Sequence, residues 1–313
     1  MIQQLNEDIE TKDISLEFVW LELTNQCNLK CTHCYADSGP RGNVADLLQR
    51  ADYEKLILDS YQLGCRHIQF IGGEPTLNPY LPYLILIASG AKYLSIEVFT
   101  NLISLPASLL KCFVTHNVSV ATSVYAPDPA FHDRVTQVDG SFERTTKNIA
   151  SLLNAGVPVR ASVIDVENDS ERLDATVGFL KRLGVPHIGV DRLRHFGRAK
   201  DRTDCSLSEL CGSCAGDILC IGPDGRVSPC IMSKDWSVGS VLKSSLREIA
   251  SSTRLTKLRT DIRHAAGQRK DATYSLGACN PERPSKCGPD YGGPCNPCNP
   301  NTHCGPNSCK PVR

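Results

Sequence analysis

The sequence predicts an α/β protein: a mostly parallel sheet followed by a small Cys-rich unit. Two observations lead there. Between residues 18 and 192, six strand-like runs alternate with helix-like runs. Strands alternating with helices pair in parallel, as an open sheet or one curved into a partial barrel. Beyond Arg198 the alternation stops, and eleven of the sixteen cysteines lie from Cys205 to Cys309.

Each element has its own signal. Phe18–Thr24 is apolar and reads as extended chain, and Asp52–Leu63 has helical spacing and stops at Gly64. His67–Ile71 is a short strand, and Tyr80–Ala88 a helix that tolerates Pro82 in its first turn. Leu94–Phe99, Val118–Val124, Val157–Ile164 and His187–Val190 are the remaining strands. Between them stand helices over Pro106–Phe113, Ser141–Asn154 and Ser170–Leu183, the last two followed by Gly156 and Gly184. A glycine after the last helical residue is the expected stop before a strand. Functional groups belong at the C-terminal ends of such strands. Farther on, Asp217–Ile221 and Arg226–Cys230 flank Gly-Pro-Asp-Gly, a hairpin signal, and Ser244–Leu258 reads as one helix. Residues 277–313, rich in Cys, Pro, Gly and Asn, are too poor in apolar side chains for a core, so metal ligation is the expected source of order.

Composition narrows the function. The chain has 313 residues, 34 basic and 34 acidic side chains, and 41% hydrophobic residues. That is enough for a core, while balanced charge gives no field for nucleic acid or a membrane surface. The apolar run Leu81–Ser89 contains Pro82 and falls far short of the roughly 20 residues that span a bilayer. The acidic, polar N-terminus lacks the features of a secretory signal, so a cytoplasmic location is expected. In that reducing compartment thiols stay free, and short-spaced thiols read as metal or cluster ligands.

The most informative segment is Cys27-Asn-Leu-Lys-Cys31-Thr-His-Cys34, directly after the first strand. A [4Fe–4S] cluster is fully ligated by four cysteines, and here three stand together, which leaves one iron open. This C-x3-C-x2-C loop, with His33 in the position before the third Cys and with Thr24-Asn25-Gln26 and Tyr35 flanking it, resembles the signature of the radical S-adenosylmethionine (SAM) superfamily. Gly72-Gly73-Glu74-Pro75 after the second strand resembles that family's GGEP motif. The resemblance implies that Gly72, Gly73 and Glu74 bind SAM, Glu74 through the amino group. Thr100-Asn101 ends the third strand as the family's ribose-side T-N-G element does, although Leu102 stands where Gly is usual. Ser123 on the fourth strand and Arg160 on the fifth are further SAM-contact candidates. The resemblance covers roughly residues 18–198 and implies a partial (β/α)6 barrel over 18–200, after an extension over 1–17. By resemblance, SAM is cleaved reductively and a 5′-deoxyadenosyl radical takes a hydrogen atom from the substrate.

Residues 201–313 resemble the SPASM domain, which holds auxiliary [4Fe–4S] clusters. The resemblance implies that Cys214, Cys220, Cys230 and Cys309 ligate a first auxiliary cluster, and Cys295, Cys298 and Cys304 a second. One or two such clusters are expected, and the last ligand is left open between Cys211, Cys279 and Cys287. Cys65, Cys112 and Cys205 match no spacing and read as small core residues.

Relatives of this kind modify ribosomally made peptides by crosslinking, epimerisation or oxidation. Others act as epimerases or dehydrogenases on small natural products such as aminoglycosides or aminocyclitols in antibiotic biosynthesis. The first is the expectation here and the second its alternative. The resemblance also implies an electron donor such as flavodoxin or ferredoxin. With 17 residues ahead of the first strand, either a leader-peptide-binding protein is separate or the substrate is small. His132-Asp133-Arg134, and the group Arg192, Arg194 and Arg198, are candidate substrate or SAM contacts near strand ends.

Overall fold

The computed structural model describes residues 15–200 and 206–267. The strands are β1 (Phe18–Glu22), β2 (His67–Ile71), β3 (Ser95–Phe99), β4 (Ser119–Ser123), β5 (Val159–Asp165), β6 (His187–Arg192), β7 (Ile218–Ile221), β8 (Arg226–Ser228) and β9 (Gly239–Ser240). They form one sheet in the order β6-β5-β4-β3-β2-β1-β7-β8-β9. Pairing is parallel from β6 through to β7 and antiparallel from β7 to β9. With β6 and β9 as its two edges, the sheet is open.

The α-helices are α1 (Arg50–Gln62), α2 (Leu81–Gly90), α3 (Ala107–Thr115), α4 (Pro129–Thr136), α5 (Ser141–Asn154), α6 (Ser170–Leu183), α7 (Leu246–Ala250) and α8 (Thr253–Gly267). Two expectations are corrected. Eight-residue α4 was not expected, although Asp128, whose side chain accepts from the Phe131 amide, and Pro129 in the first turn are good start signals. The single helix over Ser244–Leu258 is two helices, because Ser252 caps a new start by accepting from the Leu255 amide at 3.2 Å.

Strand residues alternate between faces, and the two faces build two cores. Val19, Leu21, Ile68, Phe70, Ile96 and Val98 pack with α1 and α2 residues such as Tyr53, Ile57, Leu84 and Ile85. On the other face, Phe18, Trp20 and Ile71 pack with Ile218, Cys220 and Ile262. All five residues of β1 are buried, as suits a central strand covered on both sides. On the Trp20 face, Gln69 of β2 aligns with Glu97 of β3. The Arg160 guanidinium reaches from β5 to form two bonds to the Glu97 carboxylate at 2.8 and 2.7 Å, and Gln69 donates to the same group. Arg160 is thus committed to a buried pair and does not line the cavity below.

Candidate functional site

The C-terminal ends of β1 to β6 open into a cavity with about 1010 Å³ of empty space, its mouth included. Cys27, Cys31 and Cys34 line one side, with Gly72, Gly73, Asn101, Ser123, Tyr125 and His132 around the rest.

The cysteine loop is clamped from three directions. The Lys30 and Thr32 amides donate to the Thr136 and Val135 carbonyls at 3.1 and 2.9 Å, using acceptors that the last turn of α4 leaves open. Asn25 donates to the Ala36 carbonyl and the Ser38 hydroxyl and accepts from the Asn43 and Val44 amides. Arg198 reaches in from beyond β6. Its guanidinium bonds to Asp37 at 3.1 Å and to the Cys31 and Ser38 carbonyls, and its amide donates to the Cys34 carbonyl at 2.9 Å. Arg198 therefore holds the loop rather than lining the cavity.

The thiols suit an iron–sulfur cluster. Burial pushes the Cys27 thiol up to about 12 and raises Cys31 as well, so each becomes a thiolate only when a metal takes the proton's place. Donors for such thiolates are already aimed at the sulfurs. The Leu29 amide lies 3.4 Å from Cys27 Sγ, the Ser38 amide 3.4 Å from Cys34 Sγ, and Asn101 Nδ2 3.7 Å from Cys27 Sγ. Among the described residues, no three His, Cys, Asp or Glu side chains converge on a single-ion position. All three thiols line the cavity.

Gly72 and Gly73 line the cavity, and their own packing is tight. A Cβ on Gly72 would lie 2.5 Å from the Thr24 carbonyl, and one on Gly73 2.2 Å from that of Gln26. The two glycines thus let the β2 exit pack on the β1 exit, sealed by bonds of 2.7 and 2.8 Å from the Gly73 and Glu74 amides. Glu74 is fully buried and already accepts four bonds, from the Thr76 amide and hydroxyl, the Thr100 hydroxyl and the Asn101 amide. Burial raises its carboxyl and those donors oppose the rise. The carboxylate fixes the Thr100–Asn101 turn and is not among the cavity-lining groups.

Asn101 does face the cavity, and its Nδ2 also bonds Asn28 at 2.7 Å. Leu102 adopts the left-handed conformation (φ +57°) that the usual Gly would supply, and is fully buried. From α5, Thr145 donates to the Asn101 carbonyl and Asn148 to the Leu102 carbonyl, at 2.8 and 2.7 Å. The tertiary clamp offsets the backbone strain of a non-glycine residue there.

Tyr125, two residues past Ser123, was not foreseen. Burial, together with the nearby Cys31 and Cys34 thiols, pushes its hydroxyl far above the usual range. Its ring meets His33 edge-on at 4.9 Å and His132 at 5.3 Å. Burial lowers both histidines to about 4, so both are neutral near pH 7. The position of Tyr125 just past a parallel strand's end was the available signal. Of the His132-Asp133-Arg134 trio, only His132 lines the cavity. Asp133 caps α5 and Arg134 pairs with Glu167. Arg192 and Arg194 line the rim, with Arg194 paired to Asp191 at 2.8 Å.

A second thiol group surrounds the β7–β8 hairpin. Cys214, Cys220 and Cys230 are buried in the Trp20 core, and Cys211 is half-buried beside them. The neighbouring Cys230 thiol and burial push the Cys214 thiol up. Cys205 and the cysteines from Cys279 to Cys309 lie outside the described residues. Cys65 is a fully buried core residue, as expected.

Comparison with known proteins follows this geometry. Residues 21–176 match the radical SAM superfamily model, and residues 211–280 match SPASM, an iron–sulfur cluster-binding domain. Two relatives from Bacillus subtilis (strain 168) are similar in sequence. The antilisterial bacteriocin subtilosin biosynthesis protein AlbA is 24% identical over 277 residues, covering 76% of this chain and 60% of that protein. The sporulation killing factor maturation protein SkfB is 25% identical over 283 residues, covering 78% and 67%. The chain thus spans about two thirds or less of these relatives' lengths. Streptococcus suis SuiB, solved bound to precursor peptide SuiA, has the same fold at a TM-score of 0.66 and 14% identity, over 79% of this chain and 67% of that one. A radical SAM match across the thiol loop and the glycine turn, with a SPASM match behind it, places this chain in the radical SAM superfamily, among the members that carry a SPASM domain.

Proposed function

We propose that the chain is an enzyme that cleaves SAM reductively and uses the resulting radical to modify a ribosomally made peptide. The observation that carries this is the trio Cys27, Cys31 and Cys34 opening into a cavity bounded by the Gly72–Gly73 backbone and Asn101. Cys27, Cys31 and Cys34 would hold a [4Fe–4S] cluster, which would supply the electron for cleavage of SAM. The protein's own part is positioning and exclusion of water. Gly72 and Gly73 offer backbone groups, Asn101 and Ser123 line the far side, and Glu74 holds the Asn101 turn in place. The Tyr125, His33 and His132 rings line the cavity as a neutral wall.

Cys214, Cys220 and Cys230 belong to one auxiliary iron–sulfur centre, with Cys295, Cys298, Cys304 and Cys309 available for that centre or a second. The radical SAM unit is assigned to 18–200 and the auxiliary unit to 201–313. The peptide reading is supported by AlbA and SkfB, whose names describe bacteriocin biosynthesis and killing-factor maturation, and by the peptide complex of SuiB. No helix among the described residues is long and apolar enough to cross a membrane. The cytoplasm, a flavodoxin or ferredoxin donor and a separate leader-peptide-binding protein complete the proposal.

The test is anaerobic reconstitution followed by assay for 5′-deoxyadenosine and for a mass change in candidate precursor peptides. SAM cleavage is expected in the native chain and should be lost in Cys27→Ala, Cys31→Ala and Cys34→Ala. Activity that survives all three changes would overturn the SAM reading. Turnover of an aminocyclitol, with no peptide modified, would overturn the peptide reading alone.

A further inference from the structure

Asp191, Arg192 and Arg194 are the charged side chains that line the cavity. Two of them satisfy each other. The Asp191 carboxylate accepts from Arg194 Nε at 3.1 Å and Nη2 at 2.8 Å, and from the Arg192 amide at 2.9 Å. Arg194 Nη1 donates to the Glu209 carbonyl at 2.9 Å. Both side chains of this pair are buried, so it is a fixed, neutral piece of wall. Arg192 ends the edge strand β6, and its side chain is 43% exposed. Its charge is the one that the cavity wall itself does not balance.

The balance comes from a separate segment. Glu209 ends a 3-10 turn over Leu207–Glu209, and its carboxylate stands 3.3 Å from Arg192 Nη1. The pairing is poor. Glu209 Oε2 is buried yet makes no hydrogen bond among the described residues, and the same Nη1 reaches the Leu193 carbonyl at 3.4 Å. A guanidinium and a carboxylate pair best through two parallel bonds, as Arg194 and Asp191 do. A single long contact to an exposed arginine contributes little, while a buried carboxylate oxygen without a donor is costly. The backbone beneath is firm, since Arg194 holds the Glu209 carbonyl and Leu210 is fully buried. Only the Glu209 carboxylate is loosely placed, and it sits on a cation at the cavity rim.

We propose that Arg192 anchors a carboxylate of the substrate peptide, from an acidic side chain or the C-terminus, and that Glu209 is a placeholder which this carboxylate displaces. This rests on the peptide reading above and deepens it by naming a recognition element. Displacement keeps the rim neutral, because one carboxylate replaces another. It also gives the Arg192 guanidinium the two-bond geometry that Glu209 does not reach. A peptide with no carboxylate would leave Glu209 in place and lose that anchor, so the rim selects for negative charge near the residue presented to the cavity.

The experiment uses the full chain, reconstituted anaerobically, and reads binding by fluorescence anisotropy. The probes are rhodamine-labelled heptapeptide libraries with neutral random flanks. One has Glu at its centre and an amidated C-terminus, one has Gln and an amide, one has Gln and a free C-terminal carboxylate, and one has Lys and an amide. The Glu library or the free-carboxylate library should bind about tenfold tighter than the Gln amide, and whichever does so identifies the source of the carboxylate. Arg192→Gln should abolish the preference. Arg192→Glu should reverse it toward the Lys library, which loss of a merely structural role would not do. Glu209→Gln, which removes the placeholder, should raise affinity for the preferred library a few-fold. Equal binding of all four libraries would overturn the proposal, as would a preference that survives Arg192→Gln or an unchanged affinity in Glu209→Gln. A preference abolished by saturating SAM would overturn it too, because Arg192 would then hold the SAM carboxylate. If the Arg192 variants fail to fold by circular dichroism, the Glu209→Gln comparison decides. Absence of 5′-deoxyadenosine would sink the proposed function and leave this binding preference readable, whereas SAM cleavage without any preference would sink the anchor alone.

Discussion

Gly197 sits where no side chain fits. A Cβ there would lie 2.3 Å from both the Cys34 and Tyr35 carbonyls, and its φ of +56° is a region that L residues adopt at a cost. The next residue, Arg198, makes the bonds that hold the cysteine loop, so a shift at 197 passes straight to the thiols. Gly197→Ala is expected to lower stability by about 1–3 kcal/mol and to reduce iron retention after reconstitution. Urea denaturation and iron counting check it, and unchanged values in both would show that the loop tolerates the displacement. The sequence makes the thiols visible because their spacing is local. It hides the role of Gly197, because the atoms it must avoid lie some 160 residues earlier in the chain. Glu74 illustrates the same limit. Its motif is readable, but its four donors come from the next turn and from the end of the next strand, and only the folded chain brings them to the carboxylate.

At the scale of elements, α4 and α5 support the site from below. The N-cap of α5 is Gly140, which has no side chain to satisfy the first amides. Asp133 of α4 does so instead, accepting from the Gly140 and Phe142 amides at 2.6 and 2.9 Å and from the Ser141 hydroxyl at 2.7 Å. Partial burial opposes ionisation of Asp133, but these donors outweigh it and hold its carboxyl below the usual range. Because α5 clamps Asn101 and Leu102, this cap reaches the Asn101 side of the cavity. Asp133→Ala is expected to cost about 1–2 kcal/mol of stability and to weaken SAM binding measured calorimetrically. The sign of the pH dependence follows from the depressed carboxyl. The contribution is complete above the ordinary value of 3.8 and is lost as the pH falls through the folded value. The stability difference from wild type should therefore be full at neutral pH and shrink in acid, and a difference that grew in acid would exclude this cap. Sequence periodicity found α5, whose apolar stripe runs Phe142, Ile149, Leu152. It passed over α4, whose eight residues offer barely two turns and whose stabilising contacts are carbonyls given to another loop.

For the whole molecule, the decisive pairing is β1 with β7, parallel strands whose partners Trp20 and Cys220 lie 200 residues apart. Composition suggests a break after Arg198, since alternation ends and cysteines begin there. The sheet crosses that break without interruption. No local pattern announces such a contact, because β7 reads equally well as the first arm of an isolated hairpin. Its energetic weight is large. Phe18 and Trp20 of β1 are buried at 2% and 0% exposure against Ile218, Cys220 and Ile262, and each large apolar side chain so buried contributes about 1.5–3 kcal/mol. A fragment ending at residue 200 keeps β1 but loses every one of these partners, and it exposes an apolar strand edge of the kind that recruits other chains. Such a fragment is expected to unfold without a sharp transition, to bind a hydrophobic dye and to aggregate, while the full chain loses its helical and near-ultraviolet signals together. Cooperative unfolding of a monomeric, dye-silent fragment would show instead that the thiol loop and its cavity are sustained by β1 to β6 alone, and that the auxiliary unit is an appendage rather than half of the core beneath them.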